Sequence, residues 1–112
     1  MKLSDKQKIF ALNVSKLISY IFNKGYSCTL GEAWRSPEQA EIYAKEGKGI
    51  VNSLHCKRLA IDLNLFAKEG EYLTDSCQYK WIGDVWKTLH PDNRWGGDFP
   101  NADGNHFEMN DK

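Results

Sequence analysis

The sequence predicts an α+β domain in which helices pack against a small, largely antiparallel sheet. Three observations carry this. Stretches with apolar residues at helical spacing alternate in mixed order with short stretches of period two. Two Ser-led helix starts punctuate the first half of the chain, and its end closes on two short extended segments around a polar turn. The 112 residues fall in the usual range for one domain, so a single domain over residues 1–112 with one core is expected.

The elements follow in order. Ser4 and Gln7 form an S-x-x-Q capping pattern, and Ile9, Leu12, Leu17, Ile18, Ile21 and Phe22 recur near helical spacing until Gly25 supplies a left-handed stop. Residues 26–34 read as a strand. Ser36-Pro37-Glu38-Gln39 repeats the start signal, with Ser36 as cap and Pro37 at the first helical position, for a helix running to about Gly47. Residues 47–52 form a Gly-rich loop. In residues 60–65, Ile61, Leu63 and Leu65 share one strand face while Asp62 and Asn64 share the other. Gly70 marks a turn, Asp75 or Ser76 caps a helix carrying Trp81, Ile82, Val85, Trp86 and Leu89, and Pro91 closes it. His90 sits at that helix's C-terminus, where it suits the dipole. Residues 94–99 and 105–109 are the two closing strands.

Composition excludes several classes. Fifteen Lys and Arg balance 15 Asp and Glu, a net charge of zero that argues against a protein built to neutralise nucleic-acid phosphates. With 41% apolar residues, 12% aromatics and four Trp, the chain has the makings of a packed core rather than of disorder. Membrane insertion is not expected, because no apolar run approaches the roughly 20 residues a spanning helix needs. The first residues carry Lys, Asn and Ser without an apolar signal core, so cytoplasmic synthesis is the expectation. Cys28, Cys56 and Cys77 are odd in number and widely spaced, as ordinary reduced thiols would be. Trp34 and Trp95 are expected to fill the core rather than line a groove.

The chemistry concentrates around two of the three histidines. His55 precedes the Asp62 strand in the pattern Ser53-x-His55-x6-Asp62, and Asp103-x-x-His106 leads into Phe107 and Glu108. Two imidazoles and a carboxylate match the three N/O protein ligands that catalytic zinc commonly takes, with a fourth position left for water. His55, Asp62 and His106 are therefore the metal candidates. Asp103, reaching back across the Gly104-Asn105 turn, is the candidate general base. Glu108 shares a strand face with His106 and suits the orienting of that imidazole. Each spacing alone also fits dispersed surface residues, Arg35 also fits a surface ion pair, and Asp103 also fits an Asx turn.

Taken together the motifs resemble those of the D-alanyl-D-alanine carboxypeptidase and dipeptidase family of zinc peptidases. The segment Ser53-Leu54-His55-Cys56-Lys57-Arg58-Leu59-Ala60-Ile61-Asp62 is similar to its S-x-H-x-x-G-x-A-x-D signature, and residues 103–108 to its closing D/E-x-x-H motif. Trp34-Arg35-Ser36-Pro37-Glu38-Gln39 resembles its R-[ST]-x-x-x-Q segment, and residues 94–99 its Gly-rich strand. Short members with Asp before the last histidine are similar to phage endolysins that cut the L-alanyl-D-glutamate bond of peptidoglycan stem peptides.

The resemblance implies a Zn2+ enzyme with His55, Asp62 and His106 as ligands and Asp103 as base. It implies that Arg35 meets the substrate carbonyl or carboxylate, and that Ser53 and Gln39 contribute to substrate binding. It also implies a monomer acting on the cell wall after release by a holin-type partner or by lysis. One position departs from the pattern: Arg58 stands where the family has Gly, so that the turn follows another path or Arg58 reaches towards an acidic substrate. Two rivals share the same residues. One is a D,D-carboxypeptidase trimming terminal D-alanine, and the other a binding module with structural zinc and no turnover.

Overall fold

The structure, a computed structural model, describes residues 1–49 and 53–111. Among them, three α-helices and four strands run in mixed order: α1 (Leu3–Asn23), β1 (Ser27–Leu30), α2 (Pro37–Lys45), β2 (Ala60–Phe66), α3 (Lys80–Leu89), β3 (Asn93–Trp95) and β4 (His106–Met109). The strands form one sheet in the order β1-β2-β4-β3, antiparallel at every pairing. This is the expected α+β architecture.

Alternation along the strands sorts core from site. Ile61, Leu63 and Leu65 of β2, Phe107 and Met109 of β4 and Trp95 of β3 are buried with Phe10, Leu17 and Ile21 of α1 and Ile82 and Trp86 of α3. Trp86 is the hub. Its ring meets Phe10 and Phe107 edge-on, and its indole N–H donates to the carbonyls of Arg94 and Glu108, each at 3.0 Å. A buried indole satisfied in this way ties α3 to both β3 and β4 without leaving a polar atom stranded. Tyr79 does the same on the other side, accepting from Leu65 N at 2.9 Å and donating to Leu73 O at 2.7 Å.

Several expectations are corrected. α1 begins at Leu3, with Lys2 as its cap residue, so Ser4 lies inside the helix. Gln7 does not complete a box with it but donates to Lys57 O at 2.8 Å, a long-range contact that local spacing cannot show. The buried stripe of α1 runs through Phe10, Asn13, Leu17 and Ile21, which leaves Leu12 and Phe22 exposed. Only Ser27–Leu30 of the predicted 26–34 strand is regular. Beyond it, Gly31 N and Glu32 O still bond to Asp62 O and Asp62 N at 2.7 and 2.9 Å. Residues 94–99 divide into β3 and a one-turn 3₁₀ helix at Gly96–Asp98. Trp95 is core as expected, but Trp34 is 49% exposed.

Other signals act as read. Ser36 Oγ accepts from Gln39 N at 3.0 Å at the start of α2, which ends before Gly47 with its positive φ of 74°. Gln78 Oε1 returns to Asp75 N at 3.0 Å and opens the 3₁₀ turn that runs into α3. His90 caps α3, its Nδ1 accepting from Asp92 N at 3.0 Å. Of the loop expected at 47–52, residues 50–52 lie outside the described residues. No helix among the described residues is long and apolar enough to cross a membrane.

Candidate active site

The sheet register assembles the centre. Asp62 of β2 lies directly opposite His106 of β4, and Glu108 lies opposite both Ala60 and Arg94. Residues paired across antiparallel strands share a face, so Asp62, His106, Glu108 and Arg94 all project away from the helical core. A one-residue slip would send every one of them into it.

His55 arrives from the side. Ser53 Oγ accepts from His55 N at 3.2 Å and caps a one-turn 3₁₀ helix at Leu54–Lys57, while the His55 carbonyl accepts from Arg35 N at 3.2 Å. These bonds bring the two imidazoles to a ring separation of 5.0 Å, edge to face. His55 Nε2 lies 3.4 Å and His106 Nδ1 3.3 Å from Asp62 Oδ1. The two nitrogens and that carboxylate lie within 4.8 Å of one another. Ligand bonds of about 2.0–2.1 Å in a tetrahedron put neighbouring donor atoms about 3.3 Å apart, so both imidazoles stand at ligand spacing from Asp62 and the donor set fits zinc in type.

Charge is balanced around this point. Burial works to raise the Asp62 carboxyl, but hydrogen bonds from His106 and His55 and their charges outweigh it and pull it down to about 2. Burial works to lower His106, yet its hydrogen bonds to Asp62 and Glu108 hold it up at about 9. Glu108 Oε1 sits 2.7 Å from His106 Nε2, and Glu108 Oε2 accepts from Arg94 Nε at 2.7 Å. Glu108 thus engages His106 through Nε2 and leaves Nδ1 turned to Asp62.

Asp103 completes the centre from the loop between β3 and β4. Its N–H donates to Gly96 O at 2.9 Å and its carbonyl accepts from His106 N at 3.1 Å, which leaves the carboxylate uncommitted by its own backbone. Burial pushes that carboxyl above its usual value, and the nearby Asp62 charge adds to the push while the two imidazoles oppose it. Arg35, His55, Asp62, Asp103 and His106 all line one cleft of about 550 Å³.

Gly96 is what lets the Asp103 loop lie so close. A Cβ at this position would sit 2.1 Å from Asp103 O and 2.8 Å from His106 Cβ, against backbone that cannot rotate away. Gly96→Ala is expected to lower stability by about 1–3 kcal/mol and to depress turnover beyond what the loss of folded protein explains. A denaturant melt alongside an activity assay checks both.

A model of the family described as D-alanyl-D-alanine carboxypeptidase matches residues 46–109. The chain belongs to that family. Its fold is similar to that of the L-Ala D-Glu endopeptidase ChiX of Serratia marcescens, with a TM-score of 0.64 at 20% identity over 75% of this chain and 67% of ChiX. No curated protein matches the sequence. By family, then, the chain is a peptidase.

The remaining motif residues of this carboxypeptidase relative divide. Ser53, 6% exposed, lines the cleft and also caps the turn that carries His55. Gln39, on α2, is not part of the described cleft lining. Arg35 lines it but is already engaged: its Nε donates to Glu32 Oε1 at 2.7 Å, a second nitrogen contacts the same oxygen, and its guanidinium lies 4.9 Å from the centre of the Tyr43 ring.

Arg58, at the position where the motif has Gly, takes a left-handed conformation, at φ 56° and ψ 36°. The Arg58 guanidinium lies 5.1 Å from the Trp34 ring centre, and both border a separate apolar hollow between α1 and the sheet instead of the catalytic cleft. Cys28 and Cys56 are half-buried and Cys77 is exposed, all three as free thiols, and none of them joins the donor set. Glu32 is the residue that sequence reading missed. It stands three before Arg35, and its Oε1 lies 3.7 Å from His55 Nδ1.

Proposed function

We propose that this chain is a zinc-dependent peptidoglycan hydrolase that cuts the stem peptide, at the L-Ala–D-Glu bond. The observation that carries the reading is the convergence of His55 Nε2, Asp62 Oδ1 and His106 Nδ1 in the same cleft as Asp103. Membership of a family named for D-alanyl-D-alanine cleavage supports the substrate class. The choice of bond is supported by likeness of fold to an L-Ala D-Glu endopeptidase.

In this reading His55, Asp62 and His106 hold the metal. Zinc bound there supplies Lewis acidity, polarising the scissile carbonyl and acidifying water towards neutral pH. Asp103 takes a proton from the attacking water and hands it to the leaving amine. Its raised proton affinity favours the first half of that exchange, removal of the proton from water. Arg35, held over the Tyr43 ring and paired with Glu32, presents what remains of its guanidinium to the substrate carbonyl or carboxylate. Ser53 keeps its hydroxyl proton for the substrate while its oxygen caps the His55 turn. On this reading the chain works as a monomer on the cell wall, reached from the cytoplasm through a holin-type pore or by lysis.

A D,D-carboxypeptidase is the second reading, favoured by the family's own description. Digestion of purified peptidoglycan with zinc-loaded and chelator-stripped protein, read by mass spectrometry, separates the two. New N-terminal D-glutamate on the released peptides, dependent on zinc, is expected. Loss of terminal D-alanine alone would transfer the activity to the second reading. Tight zinc binding with no cleavage would leave a binding module.

A further inference from the structure

The buried nitrogen on the far side of His55 has no partner. His55 is 2% exposed, its Nε2 turns to Asp62, and its Nδ1 is among the buried polar atoms left without a hydrogen bond. A buried donor in that condition is costly unless something satisfies it. His106 presents the contrast: its second nitrogen is held by Glu108 at 2.7 Å. One of two matching imidazoles is oriented by a carboxylate and the other is not yet.

The carboxylate that faces His55 Nδ1 is Glu32. Its Oε1 lies 3.7 Å away, just outside hydrogen-bond distance, and its side chain is largely buried at 25% exposure. The backbone at Glu32 is fixed by its carbonyl, which accepts from Asp62 N at 2.9 Å. Gly31 is pressed on the same residue, where a Cβ would sit 3.0 Å from Asp62 Cβ. At the other end of this short segment Arg35 N donates to His55 O. The segment carrying Glu32 is thus stitched to both Asp62 and His55 by main-chain bonds. Its carboxylate then stands between the Arg35 guanidinium and the His55 ring.

We infer that Glu32 is the positioning residue for His55, receiving the Nδ1 proton so that Nε2 is the nitrogen presented to the metal, while its ion pair with Arg35 anchors it. This rests on the proposed His55, Asp62 and His106 metal site. Carboxylates that accept the outer N–H of a metal-bound imidazole set its tautomer and raise its basicity. Glu32 and Glu108 then serve the two imidazoles in parallel, one through Nδ1 and the other through Nε2. Arg35 and Arg94 stand behind them in the same relation, each donating from Nε to its glutamate at 2.7 Å.

The test is zinc affinity of the full chain by chelator competition, with the His55 Nδ1 proton followed by NMR in the zinc-loaded protein. Glu32→Ala is expected to weaken zinc about 10–100-fold, with the Nδ1 proton shifting or exchanging away. Glu32→Gln, which keeps an acceptor oxygen and the shape, is expected to recover part of the affinity and keeps the test open should the Ala variant fold poorly. Arg35→Ala separates anchoring from acceptance and is expected to weaken zinc less than Glu32→Ala does.

Zinc affinity of both Glu32 variants within twofold of wild type, while His55→Ala loses the metal, would overturn the role of Glu32 and leave the metal site standing. Arg35→Ala reproducing the whole effect would also overturn it, reducing Glu32 to a holder of Arg35. Wild type and His55→Ala binding zinc equally weakly would remove the metal site itself, and this inference with it.

Discussion

Asp103→Asn is expected to lower hydrolysis of stem peptides by about 10²–10⁴-fold while zinc affinity and melting temperature stay at wild-type values. The asymmetry follows from how the residue is held. The hydrogen bonds that place the loop run from Asp103 N to Gly96 O and from His106 N to Asp103 O, both main chain, so an isosteric amide leaves them in place. Asp103 is also outside the donor set, so the amide leaves all three ligand atoms in place. What the amide cannot do is accept a proton. In the metal-free chain, desolvation and the nearby Asp62 carboxylate raise the Asp103 carboxyl, which makes it the better proton acceptor. Turnover of Asp103→Asn at near-wild-type rate, with zinc in place, would remove Asp103 as the base.

The contrast between Asp103 and Glu32 shows which parts of the site sequence can reveal. His55, Asp62, His106, Glu108 and Asp103 were legible because they fall in two short motifs, S-x-H-x6-D and D-x-x-H-x-E, whose types and spacing suit a metal and a base and resemble a family signature. Once β2 and β4 pair, the register puts Asp62 against His106 without further information. Glu32 was not legible. It follows the last regular residue of β1 and meets His55, 23 positions later, only because main-chain bonds carry its segment across β2 at Asp62. No periodicity records such a contact.

The fold errors have the same origin. Ser4 and Gln7 make a valid capping pattern, but Gln7 has a better partner in Lys57 O far along the chain, and the helix starts one residue before Ser4. Gly96 and Gly97 read as part of a strand, yet their missing side chains leave space that Asp103 O and the Trp95 ring occupy, and the chain turns there. At Arg58, where the motif has Gly, the backbone is left-handed, at a cost that Gly would not incur.

Removing zinc is the second perturbation expected to act strongly, and its effect should grow with pH. In the metal-free chain the His106 pKa is held up at about 9, above the ordinary histidine value of 6.5. A raised value stabilises the fold fully below about pH 6.5, and that contribution is lost as pH climbs through 9. Asp62 works in the opposite sense. Its value of about 2 lies below the ordinary 3.8, so its contribution is present above 3.8 and lost as pH falls through 2. Stripped protein should therefore be most stable between about pH 4 and 6.5, and its melting temperature should fall by roughly 5 °C or more between 6.5 and 9. Zinc needs the neutral imidazole, so binding displaces a proton and affinity rises about tenfold per pH unit up to 9. At pH 8, with zinc far above its dissociation constant, the loaded protein should melt roughly 10 °C or more above the stripped one. The two melting curves should separate steadily from pH 6 upwards, with the stripped one falling. A stripped protein with a flat melting temperature from 6.5 to 9, or a gap that does not widen, would mean that His106 is not the imidazolium that stands in for the metal between Asp62 and Glu108.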